Sequence, residues 1–334
     1  METASHEPRP PLSEAKRALL ERYLRQELPH TSINTLNEPA PSPAAPTSCA
    51  NSRVPIVRLQ GGGSKRPFFY LHVHWQGGAL YCFTLARELG SDQPFYLLEP
   101  YRFEDLPAPP TIEAMAADYI QSLRSVQPEG PYLLGSFCGA SVIAYEMAQQ
   151  LRAQGQAVDL LVFFEPMAGP IELSRLAGRL IRRIGTRFRI GPDRQLNWFL
   201  RIRYVLRKLR RTEDEFTTGC DRMMRRWREE HPGRFSILPA AAALRLDWLA
   251  VFAWPVSGYV PRPYPGRLTY LLATDNPDRR NLWWGKPKAT PNVEIHMIPG
   301  DNVTCRTAHV QDLAEQLRMC VSRAQTTPAA SQAT

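Results

Sequence analysis

Short apolar runs and helix-spaced segments take turns along most of this chain. The runs RPFFYLHV (66–73), PFYLLEP (94–100), PYLLG (131–135), VDLLVFFEP (158–166), GRLTYLLAT (266–274) and NVEIHMIPG (292–300) are short, apolar and bounded by turn residues. They read as buried strands. Between them, ALYCFTLAREL (79–89), TIEAMAADYIQSLRSVQ (111–127), ASVIAYEMAQQLRAQG (140–155) and AHVQDLAEQLRMCV (308–321) carry helical spacing. Thr111, with Glu113 soon after, marks a helix start, and Gly155 marks a helix end. This βαβα alternation predicts an α/β fold: a mostly parallel sheet flanked by helices on both faces.

The rhythm breaks between about residues 169 and 262, where RLIRRIGTRFRI (179–190), RIRYVLRKLRR (201–211) and CDRMMRRWREEH (220–231) are basic helical segments. An insertion of this size after a central strand predicts a helical lid over the sheet's carboxyl edge, where ligands bind in such folds. Upstream, SEAKRALLERYLRQE (13–27) predicts a short amphipathic helix, and NEPAPSPAAPTSCANS (37–52) cannot pack a core and reads as a linker. The expected division is a helix and Pro-rich linker over 1–53, a globular domain over 54–323 with its lid at about 170–262, and a disordered tail over 324–334.

Charge and composition narrow the class. The net charge of +9, from 41 basic and 32 acidic residues, suggests an acidic partner. No zinc-finger or RNA-recognition motif is present, so nucleic acid is not the expected one. Cys49, Cys82, Cys138, Cys220, Cys305 and Cys320 form no CxxC pair, which argues against a disulfide scaffold or a metal site and fits a reducing cytoplasm. The opening METASHEPRPPLSEAK lacks the apolar core of a signal peptide. LPAAAALRLDWLAVFAW (238–254) is interrupted by Arg245 and Asp247 and is short for a membrane span. A soluble cytoplasmic protein is expected, its oligomeric state left open.

The chemistry centres on PYLLGSFCGASVIAYEMAQQL (131–151), a strand that turns sharply into a helix. A nucleophile elbow needs small residues two before and two after its tip, because their side chains crowd the bend. Ser136 and Ala140 meet that need around Cys138, and Gly139 follows directly. A cysteine at a helix N-terminus is favoured as thiolate.

Three stretches carry a family likeness: FFYLHVHWQGGALYCFTLARELGSDQPFYLLEP (68–100), TIEAMAADYIQSLRSVQPEGPYLLGSFCGASVIAYEMAQQL (111–151) and IPGDNVTCRTAHVQDLAEQLRMC (298–320). Through them the chain resembles the α/β-hydrolase thioesterase domains of nonribosomal peptide and polyketide synthases, in a cysteine-nucleophile variant. The resemblance implies Cys138 as nucleophile, Glu165 as the triad acid, and Asn302 where the triad histidine is usual. His309, seven residues on, is expected about two helical turns away, roughly 10 Å along a helix. Gly139 and the loop residues Val73 and His74 are implied for the oxyanion hole, and His72, Gly77 and Gly78 for substrate binding.

The resemblance further implies an acyl or peptidyl thioester substrate carried on the phosphopantetheine arm of a carrier domain, with no cofactor of the protein's own. The lid charges Arg201, Arg203, Arg207, Lys208, Arg210 and Arg211 would steer an acidic carrier domain. A relative without catalysis, binding carrier or acyl chain, is the alternative that Asn302 keeps open.

Overall fold

The computed structural model describes residues 54–72, 80–103, 106–166, 172–209, 240–276 and 292–326. The predicted N-terminal helix and linker, the 220–231 segment and the last residues of the predicted tail lie outside them.

Seven strands form one sheet: β1 (Ile56–Gln60), β2 (Phe68–Leu71), β3 (Phe95–Leu98), β4 (Tyr132–Phe137), β5 (Val158–Phe164), β6 (Leu268–Ala273) and β7 (Val293–Ile298), in the order β1-β3-β2-β4-β5-β6-β7. All neighbours pair parallel except β1, which runs antiparallel to β3. The helices are α1 (Leu80–Glu88), α2 (Ile112–Arg124), α3 (Ala140–Ala153), α4 (Glu172–Arg187), α5 (Pro192–Leu209), α6 (Ala241–Arg245), α7 (Trp248–Gly258) and α8 (Val310–Thr326). The predicted alternation is present, and β1 is an edge strand that the pattern did not reveal.

Side chains alternate across the sheet as a period of two requires. Tyr132 and Leu134 of β4, with Leu161 and Phe163 of β5, join the core that α2, α3 and α7 cover. Leu133 and Phe137, with Leu160, Val162 and Phe164, join the core covered by α1 and α8. Burying each such aromatic contributes about 1.5–3 kcal/mol. Gly135 is needed on β4 because a Cβ there would stand 2.4 Å from the Phe68 ring. Thr111 caps α2 by accepting from the Ala114 N–H at 3.3 Å, as its sequence predicted.

The helices between β5 and β6 have their own small core, built on Ile181, Leu196, Phe199, Leu200 and Trp254. Gly178 lets α4 approach α7 closely, since a Cβ there would lie 2.2 Å from Ser257 Oγ. Arg182 stacks 3.8 Å from the Trp254 ring centre and donates to Trp254 O and Ser257 Oγ. Burial lowers its pKa to about 10, so this arginine is part of the packing. Arg207 is buried as well, which removes it from the predicted steering surface, whereas Arg201 is exposed. The side chain of Lys208 and the whole of Arg210 and Arg211 lie outside the described residues. Leu249, Phe252 and Val256 of α7 pack into the main core, so the inserted region is rooted in the sheet layer. Among the described residues no helix is long and apolar enough to cross a membrane.

Candidate active site

The carboxyl ends of β4, β5, β6 and β7 form one continuous edge. At its start, Cys138 adopts φ +51°, a left-handed conformation that costs a non-glycine residue on the order of 1–2 kcal/mol. Two hydrogen bonds hold it there: its N–H donates to Phe164 O at 2.9 Å, and its carbonyl accepts from the Ser141 N–H at 3.2 Å. Gly139 caps α3, so the turn runs from strand to helix with nothing between. Ser136 and Ala140 are fully buried beneath the bend, and Ser136 Oγ donates to Ser141 Oγ. This is the elbow that the small residues predicted, with the Cys138 thiol partly exposed at its tip. Among the described residues no backbone group accepts from the Gly139 N–H.

Glu165, one residue beyond β5, also has positive φ, +41°, and is buried. Its N–H donates to Leu271 O, and its carboxylate accepts from the Ala273 N–H and the Asn276 side-chain amide. The carboxylate is thus held across the end of β6. It is felt at Cys305, whose thiol is pushed up to about 12 by burial first and by the Glu165 charge second.

The turn after β7 completes the edge. Thr274 N–H donates to Ile298 O and Asp275 N–H to Gly300 O, tying β6 to this turn. Asp301 caps it by accepting from the N–H of Thr304 and of Val303 and from Thr304 Oγ1, and these bonds lower its pKa. Asn302 follows, and its carbonyl accepts from Arg306 Nε at 2.9 Å. Among the described residues its buried side-chain Oδ1 has no hydrogen-bond partner. The turn doubles back: the Arg306 guanidinium lies 4.3 Å from the Phe137 ring centre, beside the residue that precedes Cys138. Asn302 is thereby brought toward β4 although its strand is the third from it.

His309 departs from the expected helical separation. A 3₁₀ turn over Thr304–Arg306 intervenes and α8 begins only at Val310. His309 Cδ2 lies 3.0 Å from where a Gly300 Cβ would stand, so the imidazole folds back on the turn. Its Nδ1 faces Asp312 Oδ2 at 3.4 Å.

His72 directly follows β2 and is buried, its ring stacked on Phe137 at 5.6 Å and 8°. Val73, His74, Gly77 and Gly78 lie outside the described residues. Sequence reasoning passed over Asn276, Tyr81 and Arg306; the last was signalled only by its closeness to the GDN segment. Among the described residues no group of His, Cys, Asp and Glu could hold a metal.

A family model of the thioesterase domain matches residues 70–320. The chain belongs to the thioesterase domain family. A dimodular nonribosomal peptide synthase of Bacillus subtilis (strain 168) is 42% identical over 115 residues, 33% of this chain and 5% of that protein. The polyketide synthase PksR of the same bacterium is 38% identical over 111 residues, 33% of this chain and 4% of that protein. The thioesterase-family chain therefore spans a small fraction of the curated relatives it matches. Among solved structures, the NocB thioesterase domain from the nocardicin cluster superposes with TM-score 0.50 at 22% identity, covering 81% of this chain and 100% of that one. A thermophilic esterase from Thermogutta terrifontis gives 0.51 at 15% identity, covering 82% and 94%. The thioesterase-family chain has the α/β-hydrolase fold that its sequence predicted.

Proposed function

We propose that this thioesterase-family chain acts on acyl or peptidyl thioesters borne by a carrier domain of a nonribosomal peptide or polyketide synthase, through an acyl-enzyme on Cys138. The observation that carries the reading is the strained elbow. A φ of +51° at a non-glycine residue on the ligand-binding edge of the sheet is a cost that functional sites retain. The protein needs no cofactor in this scheme, because the phosphopantetheine arm belongs to the partner.

In the first step the Cys138 thiol gives up its proton and Sγ attacks the thioester carbon. A new C–S bond forms to Cys138, the C–S bond to the pantetheine arm breaks, and the arm leaves as a thiol carrying one proton. One thioester replaces another, so the step is close to neutral in free energy. The Gly139 N–H supports the transient oxyanion. Release is the harder step. Asn302 cannot accept a proton at neutral pH, and loss of a triad member typically costs several powers of ten. Water is therefore a slow acceptor, whereas an amine attacks through its own unprotonated fraction. Acyl transfer or slow hydrolysis follows from this arrangement.

A second reading, a protein that binds carrier or acyl chain without turnover, draws on Asn302 alone. Intact mass after incubation with acyl-pantetheine thioesters of several chain lengths separates the two. One acyl adduct on the wild type and none on Cys138→Ala is the expected result, and Asn302→His should hasten adduct loss. A wild type that takes no acyl group across the series favours the binding reading.

A further inference from the structure

The Arg306 guanidinium stands against an aromatic wall beside the elbow, 4.3 Å from the Phe137 ring centre and 5.6 Å from that of Tyr81. Phe137 immediately precedes Cys138, and both pack against the same apolar cluster, together with Tyr81 and Cys305. Resting on the Cys138 reading above, we propose that Arg306 is a specificity-determining residue that selects thioesters whose acyl portion carries a carboxylate.

Three observations converge. First, Arg306 spends only its Nε–H, on Asn302 O. Among the described residues nothing accepts from its terminal nitrogens and no carboxylate pairs with it. Asp301 feels its charge without a salt bridge to it, and its carboxylate is already committed to Thr304 and Val303. Second, apart from Asp301 the groups that feel its charge are Tyr70, Tyr81, Cys82 and Cys305, all of which burial holds in their neutral forms. None of them neutralises it. Third, Arg306 is half-buried, so its positive charge is partly stripped of water, and ring faces offset only part of that loss. A planar fork with unused donors, half-buried against ring faces, fits a carboxylate or a phosphate.

The source follows from position. The phosphate of the pantetheine arm is separated from the thioester carbon by the full length of that arm. Arg306 is instead packed on the residue next to the thiol. A carboxylate on the acyl group being transferred is the anion that reaches it.

The test uses the full chain and matched acyl-pantetheine donors of one length, ending in a carboxylate or in its methyl ester. Wild type should acylate from the carboxylate at least about tenfold faster, as one charge-assisted contact implies. In Arg306→Gln that ratio should fall toward unity, and Arg306→Lys should restore part of it. An equal loss for both donors in Arg306→Gln would mean that the residue only braces the turn, and overturns the proposal. So does an Arg306 dependence that tracks the phosphate, read by comparing pantetheine with phosphopantetheine donors of the neutral chain. A calorimetric arm separates this proposal from the nucleophile reading. Cys138→Ala should bind a carboxylated amide analogue of the donor more tightly than its ester, and Cys138→Ala/Arg306→Gln should not. That result supports the proposal even if Cys138 never acylates, and its absence opposes the proposal even if Cys138 does.

Discussion

Two strand-to-helix turns lie on the same edge of the sheet and are built in opposite ways. The turn at Cys138 places a non-glycine residue at φ +51° and secures it with backbone bonds to β5 and α3. The turn after β7 gives its positive φ, +87°, to Gly300 and caps itself through Asp301, so its backbone carries little strain. Its discomfort lies in a side chain, the Oδ1 of Asn302, which has no partner among the described residues. The first turn is held by backbone hydrogen bonds around its strained tip, whereas the second is held largely through the Asp301 side chain.

The largest contrast expected is in thiol chemistry. Cys82 and Cys305 are pushed up to about 12 and Cys320 to about 11, in each case by burial first. A thiol near 12 carries roughly a thousandth of the thiolate of an ordinary cysteine at pH 7. Alkylation at pH 7 followed by peptide mapping should therefore modify Cys138 at least about a hundredfold faster than Cys82 or Cys305. Raising the pH should speed the buried thiols by about tenfold per unit until they titrate. Equal rates at neutral pH would remove the distinction between the elbow and its surroundings.

The next contrast is in stability. Glu165→Ala leaves the Ala273 N–H and the Asn276 amide without their buried acceptor, and should cost about 2–4 kcal/mol in denaturant unfolding. Glu165→Gln, which keeps one carbonyl oxygen, should cost less. Asn302→Ala removes an acceptor that has no partner among the described residues, so it should lie within about 1 kcal/mol of wild type and tend toward a gain. A loss at Asn302→Ala as large as at Glu165→Ala would show that the two turns are equally invested in their side chains.

The smallest effect tests the backbone directly. Glycine accepts φ +51° without penalty, so Cys138→Gly should be more stable than Cys138→Ala by about 1 kcal/mol. This sign is the reverse of that expected at an ordinary helix-flanking position. A more stable Cys138→Ala would mean that the elbow is not strained.

Most of the sheet was legible because a buried strand must be apolar wherever it sits. PYLLG and VDLLVFFEP announce themselves without knowledge of their neighbours. The elbow was legible for a related reason: a sharp bend demands small residues locally, and Ser136, Gly139 and Ala140 meet that demand in sequence. β1 escaped notice because IVRLQ (56–60), an edge strand only partly buried, need not be uniformly apolar. The Arg207 burial and the Arg182 stack were hidden inside a run of basic residues, where each arginine looks alike until helices pack.

The sequence by itself determined the order of the strands and helices after β1, the place of the bend and the identity of its tip, because these follow from short-range patterning and sterics. Only the tertiary structure decided which distant residues meet at that tip. That Glu165 reaches across β6 to Ala273 and Asn276, and that His309 folds back on Gly300, depends on how adjacent strand ends are bonded together. That Arg306 comes to rest on Phe137 depends on a turn anchored by Asp301 and closed by the Arg306 Nε bond to Asn302 O. The Glu165 and Arg306–Phe137 contacts join residues more than a hundred positions apart, and no local periodicity encodes them.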